Sequence, residues 1–573
     1  MKMKTTYKSI ILSTLMIFCV VAGCDTDNLH ELNINPQAVN EIDLHFLFSA
    51  AQLGIASNGT SGDNRYTDWR TNIGMGSTAI QQLATTEGIS NAGMYYQHNE
   101  ETAAAPFDFI YNDQLKNIAE ILRQTGEGGF AAGEILKTRN AARVLRAWSF
   151  QRLTDFYGAV PYFEANKGID DVAVPDDGIY FPKYDLQSII YADLLKELEE
   201  ATAGLKESNP DAGFKNADMI YDGDLDKWKR FGYSMMLKLA MRASNVAPAL
   251  AEEYVGKAVA GGVFESNADN VTIRMSIGPS VWTNQNGISR AFYPGDGGNQ
   301  NFLSRTFVDF LKGANPNDPS DDDPRLMILT DGIGPWPSSG WDTSAKLKYV
   351  KAPGDTVIFS YKTDPAEQLG MPSGYYADAQ AAMLGVTEIL VDTTYSRISP
   401  YMLDYDDPYM IMNYAEVELL LAEAAERGIG GVTDAAVHYN DGVTAAMQMY
   451  EAYFANNEGG PTGEVEDADV TAYLAKYPYG AGGVTGSESA LEQIGYQLWA
   501  SKFFNWWDAW CDWRRTGFPT LVDHTDDDNN VTGGKIPVRL KYPTSEVVAN
   551  KNFNQESKNN YTSPVWWDGG SEN

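Results

Sequence analysis

The stretch from Glu134 to Tyr157 constrains the fold of this 573-residue chain more than any other. Its Ala141, Leu145, Trp148 and Phe156 fall on one arc at about 100° per residue, with Arg143 opposite. One face must therefore be buried, and the segment predicts a long amphipathic α-helix. Gly158 stops it and Pro161 follows, the usual punctuation of a helix end. Further helices are predicted over 183–206, with Ile189, Leu194, Leu195 and Leu198 apolar, and over 224–247, 251–261, Tyr409 to Arg427, 432–456 and 487–516. Paired helices with short turns point to helical-repeat packing, although the chain has no strict 34-residue period of the tetratricopeptide kind.

The middle of the chain differs. Residues 265–408 are rich in Gly, Pro, Asn, Asp and isolated aromatics, with short strand-like fragments at Asn270 to Ile277 and Leu347 to Val350. A long irregular insertion on a regular scaffold usually carries function or meets a partner. The expected architecture is thus all-α dominated, with a loop-rich insertion over 265–408.

The N-terminus is a processing signal. Lys2, Lys4 and Lys8 precede an apolar run from Ile10 to Val21, too short for a comfortable membrane span. Val21-Ala22-Gly23-Cys24 then resembles a bacterial lipobox. Cleavage after residue 23 would leave Cys24 with a diacylglycerol thioether and an acylated (palmitoyl) amine, enough acyl chains for stable anchoring. Residues 24–40 read as a tether, and 41–573 as a single domain. Of the chain's 3 cysteines, Cys19 leaves with the signal and Cys24 is lipidated, so no intrachain disulfide can form. Cys511, in the run Trp506 to Trp513, reads as a buried inert thiol. The formal net charge of −34 argues against nucleic acid and against an anionic lipid surface.

Several segments together resemble the SusD/RagB-type outer-membrane nutrient-binding lipoproteins. They are Leu32-Asn33-Ile34-Asn35-Pro36, Arg146 to Phe150 with Leu153 to Tyr162, Asp323-Pro324-Arg325-Leu326, and Ala415 to Ala424. The C-terminal set is Trp513 to Pro519, Arg539, Tyr542-Pro543 with Glu546 and Asn550, and Val565-Trp566-Trp567-Asp568. The ordered set spans nearly the whole chain and is most similar to the subgroup with the Asn-Pro start and Trp-Trp-Asp end. The resemblance implies a superhelix of four tetratricopeptide-like helix pairs. It also implies a cell-surface lid on a SusC-like TonB-dependent outer-membrane transporter, one that captures oligosaccharide, or in some members peptide, without catalysis. Asp25 directly after the lipidated Cys would favour inner-membrane retention in enteric bacteria. In this family an acidic stretch, here Asp25 and Asp27, is compatible with surface export.

Some residues have a bland reading and some do not. Trp148 and Tyr157 read as core, and Arg325 as structural. Glu416 and Glu423, seven apart on one helix face, could suggest an acid/base pair of a surface glycosidase. They read better as structural ion pairs, with Arg514 or Arg515 as partners. Helical spacing does not explain the loop aromatics Trp282, Phe292, Tyr293, Trp336 and Trp341. A flat π face suits the C–H face of a pyranose ring, with Asn284, Asn286, Arg290 and Asp296 to read hydroxyls. Tyr95, Tyr96 and Asn99 form a second cluster, in a region that the resemblance associates with the ligand site. His30, His45, His98, His438 and His524 are isolated, and no metal or cofactor is expected. The acidic loops Asn315 to Asp323 and Asp523 to Asn530 read as solvated. An EF-hand starting at Asp526 fails at Val531 and Pro537, where Gly and Glu are required.

Overall fold

Helices carry the chain, in the order α1 (Leu44–Ala56), α2 (Glu100–Phe109), α3 (Lys116–Gln124), α4 (Leu136–Tyr157), α5 (Gln187–Gly204), α6 (Leu225–Ala243) and α7 (Pro248–Gly261). They continue as α8 (Ala377–Leu384), α9 (Tyr414–Arg427), α10 (Ala435–Gln448), α11 (Asp467–Lys476), α12 (Ala490–Ala500) and α13 (Trp506–Thr516). A π-helix spans Asp68–Ser77. The computed structural model describes residues 42–56, 68–86, 91–168, 179–278, 284–292, 301–330, 364–389, 391–455 and 462–572. The lipobox, the tether and Leu347 to Val350 lie outside the described residues. One compact unit comprises His45–Asn573.

The helices pack as sequential pairs: α4 on α5, α6 on α7, α9 on α10 and α12 on α13, with α5 also against α6 and α9 against α12. This is the tetratricopeptide-like arrangement expected. The apolar arc of α4 is buried as its period requires: Ala141, Leu145, Trp148 and Phe156 are all at most 1% exposed. Gly158 ends the helix at a φ of 82°, a region open to glycine at little cost. In α5 the reading is corrected at one position: Ile189 lies 47% exposed near the N-terminus, while Leu194, Leu195 and Leu198 are buried.

Three predicted helices break; that over 432–456 becomes α10 and a separate turn of helix at Glu451–Phe454. Residues 409–412 form a strand instead of a helical start. Asn413 caps α9, its side chain accepting from the Glu416 amide at 2.7 Å. The stretch 487–516 is two helices, because residues 501–505 turn, with Phe504 at a φ of 75°. The carbonyls freed there and nearby are met by side-chain amides. Asn413 Nδ2 donates to the Ser501 oxygen at 3.0 Å and Asn505 Nδ2 to the Ile411 oxygen at 3.2 Å.

Strands are few: β1 (Leu83–Ala84), β2 (Val160–Pro161), β3 (Tyr184–Asp185), β4 (Val271–Ile273), β5 (Phe302–Leu303) and β6 (Tyr409–Met412). They pair antiparallel as β1–β5, β2–β3 and β4–β6. Two of these ladders stitch the 265–408 insertion to the scaffold: β1–β5 holds it to the N-terminal region and β4–β6 closes its two ends together.

The core is cross-braced by charge. Lys238 on α6 meets Glu416 of α9 at 3.2 Å and also contacts Asp508 of α13. Lys502 meets Glu416 at 2.7 Å and also Asp512; Arg242 reaches Asp155 at 3.0 Å and Asp512 at 2.9 Å. All of these side chains are at most 6% exposed. Burial alone would raise the carboxyl of Asp508, but Lys238 and Lys502 hold it well below the usual range. Glu416 and Glu423 are thus ion-paired, as their spacing suggested. Glu423 pairs with Arg515, at 2.7 Å through Nη2, and with Arg427 at 2.7 Å. Arg514 instead donates to the backbone oxygens of Asp155 and Val538 and lies over the Trp510 and Trp567 rings. Arg325 is fully buried, paired with Asp323 at 2.7 Å, and Cys511 is a buried free thiol. Among the described residues no helix is long and apolar enough to cross a membrane.

Candidate functional site

Three distant pieces of sequence meet at one surface: residues 94–97 of the N-terminal region, 373–376 of the insertion and the acidic loop 522–531. Backbone contacts set the meeting. The Val531 amide donates to the Tyr96 oxygen at 2.9 Å and the Asp526 amide to the Gly374 oxygen at 2.8 Å. Gly374, with a φ of 83°, lets the two loops touch.

Two aromatic stacks rise from this junction. Tyr375 stacks on His524 with centroids 4.0 Å apart, and Tyr376 on Tyr95 at 4.5 Å. Tyr95 is 1% exposed and Tyr376 is 40% exposed, so the first is the support and the second the face offered to solvent. The Tyr95 hydroxyl donates to the Tyr375 oxygen at 3.2 Å, tying one stack to the other. Tyr96 is also buried, and its hydroxyl meets the backbone of His524. Val522 and Val531 add exposed apolar surface beside the rings.

Polar groups are fixed around the rings. His524 Nε2 lies 3.0 Å from Asp526 Oδ1, Gln97 donates to Asp527 at 2.5 Å, and the Tyr376 amide reaches Asp526 at 3.4 Å. Asp527 also accepts from the Asn529 amide at 2.9 Å, and with Gln97 and Tyr376 this holds its carboxyl below the usual range against burial. Burial, Tyr376 and the nearby Asp526 and Asp527 together raise the Tyr95 phenol. The result is a rigid aromatic ledge with amide and carboxylate groups at its edge. That combination can stack a sugar ring and hydrogen-bond its hydroxyls.

The other candidate residues fall elsewhere or outside the described residues. Asn99 caps α2, accepting from the Thr102 amide at 3.0 Å. Arg290 and Phe292 are buried on the short helix Gly287–Ala291 and its end, with Arg290 over the Tyr405 ring and Asn286 as the cap. Asn284 is half-buried just before it, its backbone oxygen accepting from Ser276. Trp282, Tyr293, Asp296, Trp336 and Trp341 lie outside the described residues. The acidic loop 315–323 borders a cleft of about 480 Å³ that also meets Tyr473 and Lys476, the latter paired with Asp321. Among the described residues no group of three or more His, Cys, Asp or Glu is placed to hold a metal ion.

Sequence reasoning singled out Tyr95 and Tyr96 but passed over Tyr375, Tyr376 and His524. The available signal was a second Tyr-Tyr pair, inside the insertion already suspected.

Comparison with known proteins adds to this geometry. The model of the SusD-like family described as starch-binding, associating with the outer membrane, matches residues 36–543. Among solved structures, a chitin-binding protein shares 29% identity at a TM-score of 0.71, covering 92% of this chain and 100% of its own. A Bacteroidetes AC2a SusD-like protein shares 26% identity at a TM-score of 0.72 with the same coverage. A chitin-binding SusD homologue from Flavobacterium johnsoniae, at 20% identity and a TM-score of 0.67, covers 92% of this chain and 98% of its own and has the same fold. A comparison with curated protein sequences gives no match.

Proposed function

The chain belongs to the SusD-like family, and from that premise we propose that it is a cell-surface lipoprotein that captures an oligosaccharide and passes it to a TonB-dependent outer-membrane transporter. The observation that carries this reading is the ledge of the exposed Tyr376 and the half-buried Tyr375, the first stacked on buried Tyr95 and the second on His524. A ring held in place before the ligand arrives loses little rotamer freedom on binding, which suits a receptor for flat, weakly binding sugar faces. A glycan ligand also accords with the name of the chitin-binding relative at 29% identity. Trp282, Tyr293, Trp336 and Trp341 of the insertion are proposed as further ligand contacts. Cys24 is proposed as the lipid-bearing residue and the transporter as the partner over which the protein acts as a lid. The protein binds and does not cleave.

Calorimetry with neutral oligosaccharides tests this. Tyr376→Ala should weaken binding by about 1–3 kcal/mol, the scale of one lost stacking contact and its buried area, while the melting temperature holds. Trp282→Ala and Trp336→Ala should weaken it too; unchanged affinity in both would remove them from the site. New reducing ends on labelled oligosaccharides incubated with the protein would overturn the non-catalytic reading.

A further inference from the structure

The ledge has an uneven electrostatic setting. Asp523, Asp526, Asp527 and Asp528 fall within six residues of the loop that forms its edge. Only Asp523 is matched by a lysine, Lys535 at 2.7 Å. Among the described residues no Lys or Arg pairs with the other three. Asp526 holds His524, Asp527 holds Gln97, and Asp528 is exposed to solvent. Two of them touch Tyr376: its amide lies 3.4 Å from Asp526 and its hydroxyl hydrogen-bonds Asp527. The Tyr376 phenol is raised by burial first and then by Asp527, Asp526 and Asp528.

We infer that the ledge selects its sugars by charge: it accepts uncharged and amine-bearing units and turns away carboxylated or sulfated ones, with Asp526 and Asp528 setting the preference. This rests on the reading of the ledge as the glycan site. The physical reason is that a uronate or sulfate stacked on Tyr376 lies within about one Debye length, roughly 10 Å, of the two carboxylates that Tyr376 touches, Asp526 and Asp527, and among the described residues no Lys or Arg pairs with either. A protonated amine in the same place gains what the anion loses. Aromatic stacking itself is indifferent to the difference, so the discrimination comes from the loop.

A glycan array of neutral, amino-bearing, uronate and sulfated oligosaccharides, probed with the full-length protein in detergent, is the first test. The bound set should hold neutral or amino-bearing members and no acidic ones. Calorimetry then compares a bound neutral oligomer with its uronate counterpart. At low ionic strength the neutral one should bind roughly tenfold tighter, falling to about twofold in high salt as screening takes over. Asp526→Asn with Asp528→Asn should close most of that gap. Asp528→Asn alone, at an exposed position, should close part of it without disturbing the His524 contact. Acidic glycans bound as well as neutral ones, or a ratio unchanged in both variants, would overturn the charge selection and leave the glycan site standing. An array with nothing bound would overturn the glycan site and the selection with it.

Discussion

At Gly374 a Cβ would lie 2.2 Å from the backbone oxygen of His524, and the φ of 83° already disfavours any side chain. Gly374→Ala therefore has to open the junction between the insertion and the acidic loop, on top of about 1–2 kcal/mol of left-handed strain. Both aromatic stacks depend on that junction. The expected outcome is a loss of glycan affinity at least as large as that of Tyr376→Ala, read by calorimetry, with helical circular dichroism retained. Asp68 poses a different question. Burial pushes its carboxyl up to about 7, against hydrogen bonds from Tyr409 and Asn72, both at 3.0 Å. A raised carboxyl binds its proton more tightly in the folded state. Its stabilising share is complete below about pH 4 and is lost as pH rises through about 7. Asp68→Asn should thus gain on the native protein by up to about 4 kcal/mol between pH 4 and pH 8, seen as a pH-dependent difference in urea midpoints. A constant difference across that range would show that Asp68 does not titrate there. At this scale the sequence was legible where residue type and spacing agree, as at Trp148 and the Glu423 pair. Tyr376 was not legible, because nothing local distinguishes a solvent-facing ring in a loop from one that packs inward.

Element by element, helix interiors were legible and their ends were not. The interiors of α4, α6 and α9 were legible as long helical runs, yet the structure buries them nearly all round: Ala147 to Tyr157, Ser234 to Ala243 and Ala415 to Ala424 are buried without a break. The strand at 409–412 was hidden because its apolar run Tyr-Met-Ile-Met continues directly into the helix. Only Asn413 with Glu416 three residues on marks the start of α9. The turn at 501–505 has no Gly or Pro. It is held by tertiary contacts, chiefly Lys502 drawn into the buried charge cluster between α9 and α13. Lys502→Met would leave Glu416 with Lys238 and Asp512 with Arg242, each short of one cation inside the core. Removing one member of a buried set costs about 3–5 kcal/mol, because the desolvated carboxylates stay behind. By contrast Arg123→Ala, which breaks an exposed pair with Glu120 on α3, should cost under about 1 kcal/mol. Parallel urea melts compare the two, and equal costs would mean that the cluster is solvated in solution.

For the whole molecule, the acidic surface and the expected lipid act on the same question of attachment. The net charge of −34 repels an anionic membrane face, so no electrostatic second anchor compensates when the lipid is lost. No described helix spans a bilayer either. Under the proposal that Cys24 is lipidated, attachment would rest on its acyl groups, where one chain would be marginal and two or three hold firmly. Cys24→Ala should therefore move the protein almost completely from the membrane pellet to the soluble fraction, and salt should hardly affect the native protein's retention. Partial retention of the variant that detergent releases together with a barrel protein would mean that the transporter grips the lid without the lipid. Full retention with no barrel protein present would refute the anchor.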